Sequence, residues 1–82
     1  MTRAIYWDPK GRKDLEALDG QVKRRIRSAI ERLTGDNRGV RRLTGVAPPL
    51  FRLRVGDWRV LFRFDEEKIV ILRVLPRDKA YR

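Results

Sequence analysis

The stretch that decides the fold runs from residue 51 to residue 75, FRLRVGDWRVLFRFDEEKIVILRVL. Apolar and polar residues alternate along Phe51–Val55 and again along Trp58–Phe64, which predicts two strands that each have one apolar face. Gly56-Asp57 between them is the signal of a two-residue hairpin turn. Residues 69–75 are almost all apolar, which predicts a third strand buried on both faces. The segment therefore predicts three consecutive antiparallel strands.

The first part of the chain predicts one strand followed by two helices. Residues 3–7 are a short apolar run typical of a strand. Asp8-Pro9 then offers a helix N-cap and a first helical residue, so a helix is predicted over residues 10–18. Gly11 lowers the helix propensity of that segment. Apolar residues at three- and four-residue spacing predict a second, longer helix over residues 21–34.

Residues 35–49 have turn residues at both ends and no sustained period, which predicts a linker. The fold class is therefore α+β: an N-terminal strand, two helices, and a three-stranded antiparallel meander in one sheet packed on the helices. At 82 residues the chain has little room for a second core, so we expect a single domain spanning residues 1–82.

The charge of the chain indicates a polyanionic partner. It has 21 Lys and Arg against 11 Asp and Glu, and the excess is present in both halves of the sequence. Nucleic acid or an acidic protein would suit such a surface, although solubility alone is the alternative explanation. The absence of Cys and His excludes thiolate and imidazole chemistry. No apolar run is long enough for a signal peptide or a membrane span, so we expect a cytoplasmic protein.

The hairpin register predicts a row of arginines on one face of the sheet. A two-residue turn pairs Val55 with Trp58 and therefore Arg54 with Arg59. If the following turn holds three residues, Arg59 also lies opposite Arg73. Like charges on neighbouring strands destabilise a sheet, so a repeated arginine row favours an anion-binding surface over an ordinary solvent-facing one. The arginines expected on this face, with Arg77 just beyond it, are Arg52, Arg54, Arg59, Arg63 and Arg73.

Further candidates lie in the linker and at the C-terminal end. Arg41 and Arg42 could contact phosphate or be ordinary loop charges. Tyr81 lies among cations, where it could stack on a base or close the edge of the core. Lys79 and Arg82 add positive charge on either side of it.

Three segments resemble a known family: RRLTG at residues 41–45, FRLRVGDWRVLF at residues 51–62 and LRVLPRDKAY at residues 72–81. Together with the predicted order of strands and helices, they resemble the RelE/ParE superfamily of type II toxins, in particular the RelE-like mRNA interferases. The resemblance implies a ribosome-dependent endoribonuclease that cleaves mRNA in the A site by attack of the ribose 2′-OH. It implies no metal and no cofactor. It also implies that a cognate antitoxin, which we expect to be acidic, inhibits the protein by forming a hetero-oligomer with it.

The resemblance also implies roles for individual residues. Arg59 and Arg77 match arginines that stabilise the phosphorane and the leaving group, and Tyr81 matches the tyrosine that acts on the target nucleotide. Arg52 and Arg54 lie where related chains have lysines, and arginine cannot give up its proton, so these two can only neutralise charge. The predicted catalytic residues are Arg54, Arg59, Arg77 and Tyr81. The predicted RNA-binding residues are Arg41, Arg42, Arg52, Arg63, Arg73, Lys79 and Arg82.

Some alternatives stay open from the sequence. The general base could be Tyr81 or, less favourably, Lys79 or Asp78, and Pro76 replaces a histidine that is frequent in related chains. On the same fold, the chain could be a non-catalytic inhibitor of DNA gyrase, as in the ParE branch. It could also be a basic RNA-binding module that does not cut.

Overall fold

The computed structural model describes residues 3–35 and 39–79, which form one sheet of five strands with two helices. The α+β class and the three-stranded meander are as predicted, and the helix bounds differ from the predicted ones by one or two residues. In chain order the elements are β1 (Ala4–Trp7), α1 (Pro9–Glu16), α2 (Gly20–Arg32), β2 (Val40–Arg42), β3 (Phe51–Val55), β4 (Trp58–Phe64), β5 (Lys68–Pro76) and a 3₁₀ helix (Arg77–Lys79).

The sheet has the strand order β1-β5-β4-β3-β2, in which β1 runs parallel to β5 and the other neighbours are antiparallel. The prediction of a linker without strands was wrong at residues 40–42, since these form the edge strand β2. There, Val40 pairs with Leu53 and Arg41 with Arg52. A strand of three residues is too short to show a recognisable alternation in sequence.

The register between β3 and β4 is confirmed. Val55 pairs with Trp58, and Arg54 pairs with Arg59. Gly56 has a φ of 57°, the left-handed conformation that a hairpin with glycine first in its turn requires. The turn therefore fixes which side chains of both strands face the core.

The predicted register between β4 and β5 was wrong. Phe64 pairs with Ile69, so the turn holds four residues rather than three. Its geometry is held by the side chain of Asp65, which accepts hydrogen bonds from the backbone N–H groups of Glu67 and Lys68 at 2.8 and 2.9 Å. An irregularity in the pairing beyond Phe62 then shifts the register again. As a result Arg59 lies opposite Leu75, and Arg73 lies opposite Leu61.

The core lies between the helices and one face of the sheet. Its most deeply buried side chains come from α2, β4 and β5: Ile26, Ile30, Val60, Ile69 and Ile71. The opposite face of β5 is not fully covered, since Val70, Leu72 and Leu75 are only half-buried. The expectation that this strand is buried on both faces was therefore wrong.

Helix α1 is held against β5 by a close backbone approach and a carboxylate. A Cβ at Gly11 would lie 2.9 Å from the carbonyl oxygen of Ile71, so the glycine that weakens the helix is what lets it approach the strand. Asp14 accepts hydrogen bonds from Nε of Arg73 at 2.7 Å and from the N–H of Val74 at 2.9 Å. The carboxylate thus satisfies a backbone donor of β5 beyond the end of β1.

We expect Gly11→Ala to lower the free energy of unfolding by about 1–3 kcal/mol, because the new methyl group meets backbone atoms that cannot rotate away. Gly35→Ala is the control, since nothing lies within 4 Å of a Cβ at Gly35. Urea denaturation of both variants tests this. A Gly11→Ala protein as stable as wild type would show that the helix–strand contact is looser than described.

The Asp14 carboxylate should give the fold an acid-sensitive component. Burial alone would raise the pKa of Asp14, but the hydrogen bonds from Arg73 and Val74, with the charge of Arg73, bring it below its ordinary value. A lowered pKa stabilises the folded state above the unfolded pKa of about 4, and this stabilisation is lost as the pH falls further.

Asp14→Asn is accordingly expected to cost about 1–2 kcal/mol of unfolding free energy at pH 7, and the difference from wild type should shrink toward pH 3. Urea titrations at several pH values measure it. Glu16→Gln, at an exposed position of the same helix, is the control. A pH-independent difference for Asp14→Asn would contradict the ion pair with Arg73.

Candidate nucleic-acid interface

A polar cleft of about 480 Å³ opens on the sheet face that points away from the helices. We call it the arginine cleft. The β2–β3 register brings Arg41 beside Arg52, and the β3–β4 register brings Arg54 beside Arg59. Its lining consists of Gly39, Val40, Arg41, Arg52, Arg54 and Arg59.

Arg59 forms the floor of the arginine cleft. It is only 9% exposed, and its Nη1 donates hydrogen bonds to the carbonyl oxygens of Gly56 at 2.8 Å and Trp58 at 2.9 Å. These bonds fix the guanidinium against the hairpin turn, so its position is set before any ligand arrives.

The electrostatic surroundings of Arg59 are unfavourable for a cation. Burial lowers the pKa of Arg59, and the positive charges of Arg54, Arg52 and Arg77 lower it further, while Asp57 acts in the opposite direction. The guanidinium still stays protonated at neutral pH, because arginine is not deprotonated in proteins. A bound anion would relieve this repulsion.

Arg77 lies at the same end of the sheet as the hairpin turn. Its backbone N–H donates to the carbonyl oxygen of Asp57 at 2.8 Å, which ties the start of the 3₁₀ helix to the turn. The side chain is exposed, and its charge contributes to the lowered pKa of Arg59. Arg59 and Arg77, both predicted to be catalytic, are eighteen positions apart in sequence. The structure places both of them beside the hairpin turn.

Other predicted site residues lie elsewhere. Arg42 is on the opposite face, where it lines a cleft with phenylalanines. Arg63 is separated from Arg59 along β4 by the buried Leu61, and its Nε is buried without a hydrogen-bond partner. Arg73 was expected opposite Arg59 but instead is paired with Asp14, because the β4–β5 register is shifted.

The C-terminal candidates are only partly described. Lys79 ends the 3₁₀ helix and is exposed. Tyr81 and Arg82 lie outside the described residues, so their predicted roles stay predictions.

A second cleft, of about 250 Å³, lies on the helix-facing side of the sheet and was not predicted. We call it the phenylalanine cleft. The ring centroids of Phe51 and Phe64 are 4.7 Å apart, and the guanidinium of Arg3 lies 4.9 Å from the centroid of Phe64. The alternation on β3 and β4 indicates the face of these rings, but not that Phe64 stays 41% exposed there. The lining is Arg3, Leu33, Val40, Arg42, Phe51, Phe62, Phe64 and Ile69.

The composition of the arginine cleft restricts its chemistry. No carboxylate is among its lining residues, and arginine stays protonated at neutral pH and cannot act as a base. The cleft can therefore bind a polyanion and stabilise developing negative charge, but its own lining supplies no general base. Among residues 3–35 and 39–79, no cluster of three or more carboxylates is suited to hold a metal ion.

The α+β fold described above matches the fold of RelE-like toxins. The family model of the ParE toxin of type II toxin–antitoxin systems, parDE, matches residues 5–81. The chain therefore belongs to this family, within the RelE/ParE superfamily, and is a type II toxin. No curated protein matches its sequence.

Several solved structures have the same fold. The archaeal RelE–RelB complex from Pyrococcus horikoshii matches at 27% identity and a TM-score of 0.78, over 98% of this chain and 100% of that chain. The toxin–antitoxin complex RelBE2 from Mycobacterium tuberculosis matches at 27% identity and a TM-score of 0.72, over 94% and 93%. The E. coli DinJ–YafQ complex, at 13% identity and a TM-score of 0.71 over the full length of both chains, shows the fold alone.

Within the described parts of the chain, no helix is long and apolar enough to cross a membrane.

We expect Arg54→Gln to raise the free energy of unfolding by about 0.2–1 kcal/mol, because it removes the like charge opposite Arg59. The gain should shrink in high salt, which screens exposed charges. Thermal denaturation at low and high ionic strength measures both effects. Arg12→Gln, on the exposed side of α1, is the control and should change little. A loss of stability in Arg54→Gln would contradict electrostatic strain in the cleft.

Proposed function

We propose that this toxin is a metal-independent endoribonuclease that cleaves mRNA in the ribosomal A site and so stops translation. The observation that supports this most is the convergence of Arg41, Arg52 and Arg54 on the buried Arg59, with Arg77 tied to the adjacent turn. Such a constellation suits a phosphodiester, because guanidinium groups bind phosphate oxygens in bidentate fashion. Two relatives at 27% identity are RelE-type toxins in complexes with their antitoxins.

In the proposed reaction, the arginine cleft stabilises the negative charge of the transition state and does not itself transfer a proton. The 2′-oxygen of one ribose attacks the adjacent phosphorus, and the bond from phosphorus to the 5′-oxygen breaks. The products are a 2′,3′-cyclic phosphate and a free 5′-hydroxyl, which receives the proton that the 2′-hydroxyl has given up. Arg59 and Arg77 stabilise the charge on the phosphorane and the leaving oxygen, while Arg54 and Arg52 neutralise the non-bridging oxygens.

The base that accepts the 2′-hydroxyl proton is not among the residues lining the arginine cleft. Tyr81 is the proposed candidate, because it matches the tyrosine that acts on the target nucleotide in the RelE-like mRNA interferases. Without such a group, the rate would depend on alignment of the attacking oxygen and on charge stabilisation.

Inhibition of DNA gyrase without catalysis is the second candidate, favoured by the match to the ParE toxin model. A protein-binding surface would require apolar anchors, whereas the arginine cleft consists mainly of cations. The order of arrest after brief induction separates the two. Early translation arrest with new mRNA 5′ ends supports the nuclease, and early replication arrest with DNA damage supports the gyrase inhibitor.

The proposed partner that neutralises the toxin is an acidic antitoxin. The phenylalanine cleft, with Arg3 and Arg42 at its rim, suits an apolar side chain flanked by carboxylates. The related structures named above are themselves toxin–antitoxin complexes. Co-expression with the product of an adjacent gene should yield a stable hetero-oligomer, and a toxin that stays monomeric beside it would contradict this assignment.

The double variant Arg59→Ala/Arg77→Ala should abolish growth inhibition and remove the new mRNA 5′ ends seen after induction, because it removes the charges that stabilise the transition state. Removing one such donor typically costs about 100- to 1,000-fold in rate. Primer extension and growth curves measure the effect.

The control for the double variant is Arg12→Ala/Arg27→Ala, which removes the same charge at exposed positions of the two helices. It should remain toxic, and both proteins should give the same far-ultraviolet circular dichroism as wild type. Full toxicity of Arg59→Ala/Arg77→Ala would refute the proposed nuclease.

A further inference from the structure

A second basic groove lies between α2 and the β3–β4 hairpin, outside the arginine cleft. Its volume is about 580 Å³, and its lining contains no carboxylate. Ser28 and Gln21 add neutral hydrogen-bonding groups. We call it the helix groove. Its cationic lining residues are Arg24, Arg25, Arg32 and Arg54.

The arginines of the helix groove follow from two features of the sequence. On α2, Arg24, Arg25 and Arg32 border the apolar stripe that contains Ile26 and Ala29, so they emerge at the edge of the sheet. Gly56 leaves space over the turn, since a Cβ there would lie 2.9 Å from Nη2 of Arg25. The guanidinium of Arg25 therefore lies against the hairpin turn.

Arg54 joins the helix groove to the arginine cleft. It lines both, because it lies at an exposed position of β3 next to the turn. The two lined surfaces form one path of arginines, which starts at Arg41 and Arg52, crosses Arg54 and continues to Arg25 and α2. A single extended polyanion can contact both parts.

The chemistry of the helix groove favours a phosphate backbone over a protein. Protein interfaces have few charges in their centre and contain apolar anchors, and the apolar lining of the helix groove is limited to Ala29 and Val55. The phenylalanine cleft has the opposite character. Among the described residues, the one ion pair is Arg73 with Asp14, so no carboxylate of those residues lies within ion-pair distance of the arginines of the groove. Grooves for single-stranded nucleic acid have this cationic character.

We propose that the helix groove binds the phosphodiester backbone of RNA that flanks the scissile segment. This inference depends on the proposed function in that it takes RNA to occupy the arginine cleft. The groove lengthens the binding site without adding a reacting group. It therefore contributes affinity and orientation and is insensitive to base identity.

The test measures binding of 2′-O-methyl RNA, which cannot undergo 2′-OH attack, to the full-length protein by fluorescence anisotropy. Oligonucleotides of about 4 and about 12 residues cover the usual range of single-strand sites. Wild type should bind the longer one more tightly, with a steeper salt dependence. The variant Arg24→Gln/Arg25→Gln/Arg32→Gln should bind the longer oligonucleotide no more tightly than the shorter one. The slope of log K against log salt concentration should become less steep by about 0.7 for each phosphate that is no longer neutralised, which is about 2 in all.

The matched control is Arg12→Gln/Lys13→Gln/Arg27→Gln, which removes three charges at exposed positions outside both grooves. This control should still bind the longer oligonucleotide more tightly than the shorter one, and its affinity should depend on salt concentration almost as steeply as that of wild type. Equal losses of affinity in the two triple variants would overturn the proposal, because net charge would then explain them. It would also be overturned if the groove variant bound long RNA normally and instead lost affinity for the antitoxin.

The outcome is independent of cleavage. If mRNA is never cut on ribosomes but the groove variant still loses the tighter binding of long RNA, the nuclease proposal is refuted and the proposal for the helix groove is supported. If Arg59→Ala/Arg77→Ala abolishes cleavage while wild type binds short and long RNA equally, the nuclease stands and the groove is refuted.

Discussion

The two-residue turn at Gly56-Asp57 is the constraint on which the rest of the structure depends. It sets the pairing of β3 with β4, and because side chains alternate, it determines which residues of both strands face the core. The carbonyl oxygen of Gly56 accepts a hydrogen bond from Arg59, and that of Asp57 accepts one from the backbone of Arg77. The turn thus holds both the core register and the two arginines proposed to act on the phosphate.

The same register creates an opposition between stability and function. The face that buries Leu53 and Val60 in the core necessarily brings Arg54 beside Arg59 on the other side. Burial lowers the pKa of Arg59, and the repulsion from Arg54 and Arg52 lowers it further. Natural proteins tolerate such strain where a ligand relieves it. Under the proposed function, the arginine cleft is preorganised for a phosphate, and a bound phosphate would relieve this repulsion.

Sequence reasoning was most reliable where a local rule decides the geometry. Alternation and the glycine-first turn were enough to pair Arg54 with Arg59. They were not enough for the turn after Phe64, which holds four residues instead of three and in which the Asp65 carboxylate accepts hydrogen bonds from two backbone N–H groups. Because of the shifted β4–β5 register, Arg73 lies outside the arginine cleft and donates a hydrogen bond to Asp14 instead. These two residues are 59 positions apart in sequence. Likewise Arg41 joins the cleft through a three-residue strand that has no periodic signature of its own.

The position of β5 affects how the protein is made. Among residues 3–35 and 39–79 it is the last strand in sequence, yet it lies between β1 and β4 in the sheet and supplies Ile69 and Ile71 to the core. Until β5 leaves the ribosome, β1 lacks its pairing partner and the helices lack part of their apolar support. An isolated hairpin is marginal in water. The sheet therefore cannot be completed before β5 has been synthesised, and a protein that binds the chain earlier meets β1 and β4 without the strand that lies between them.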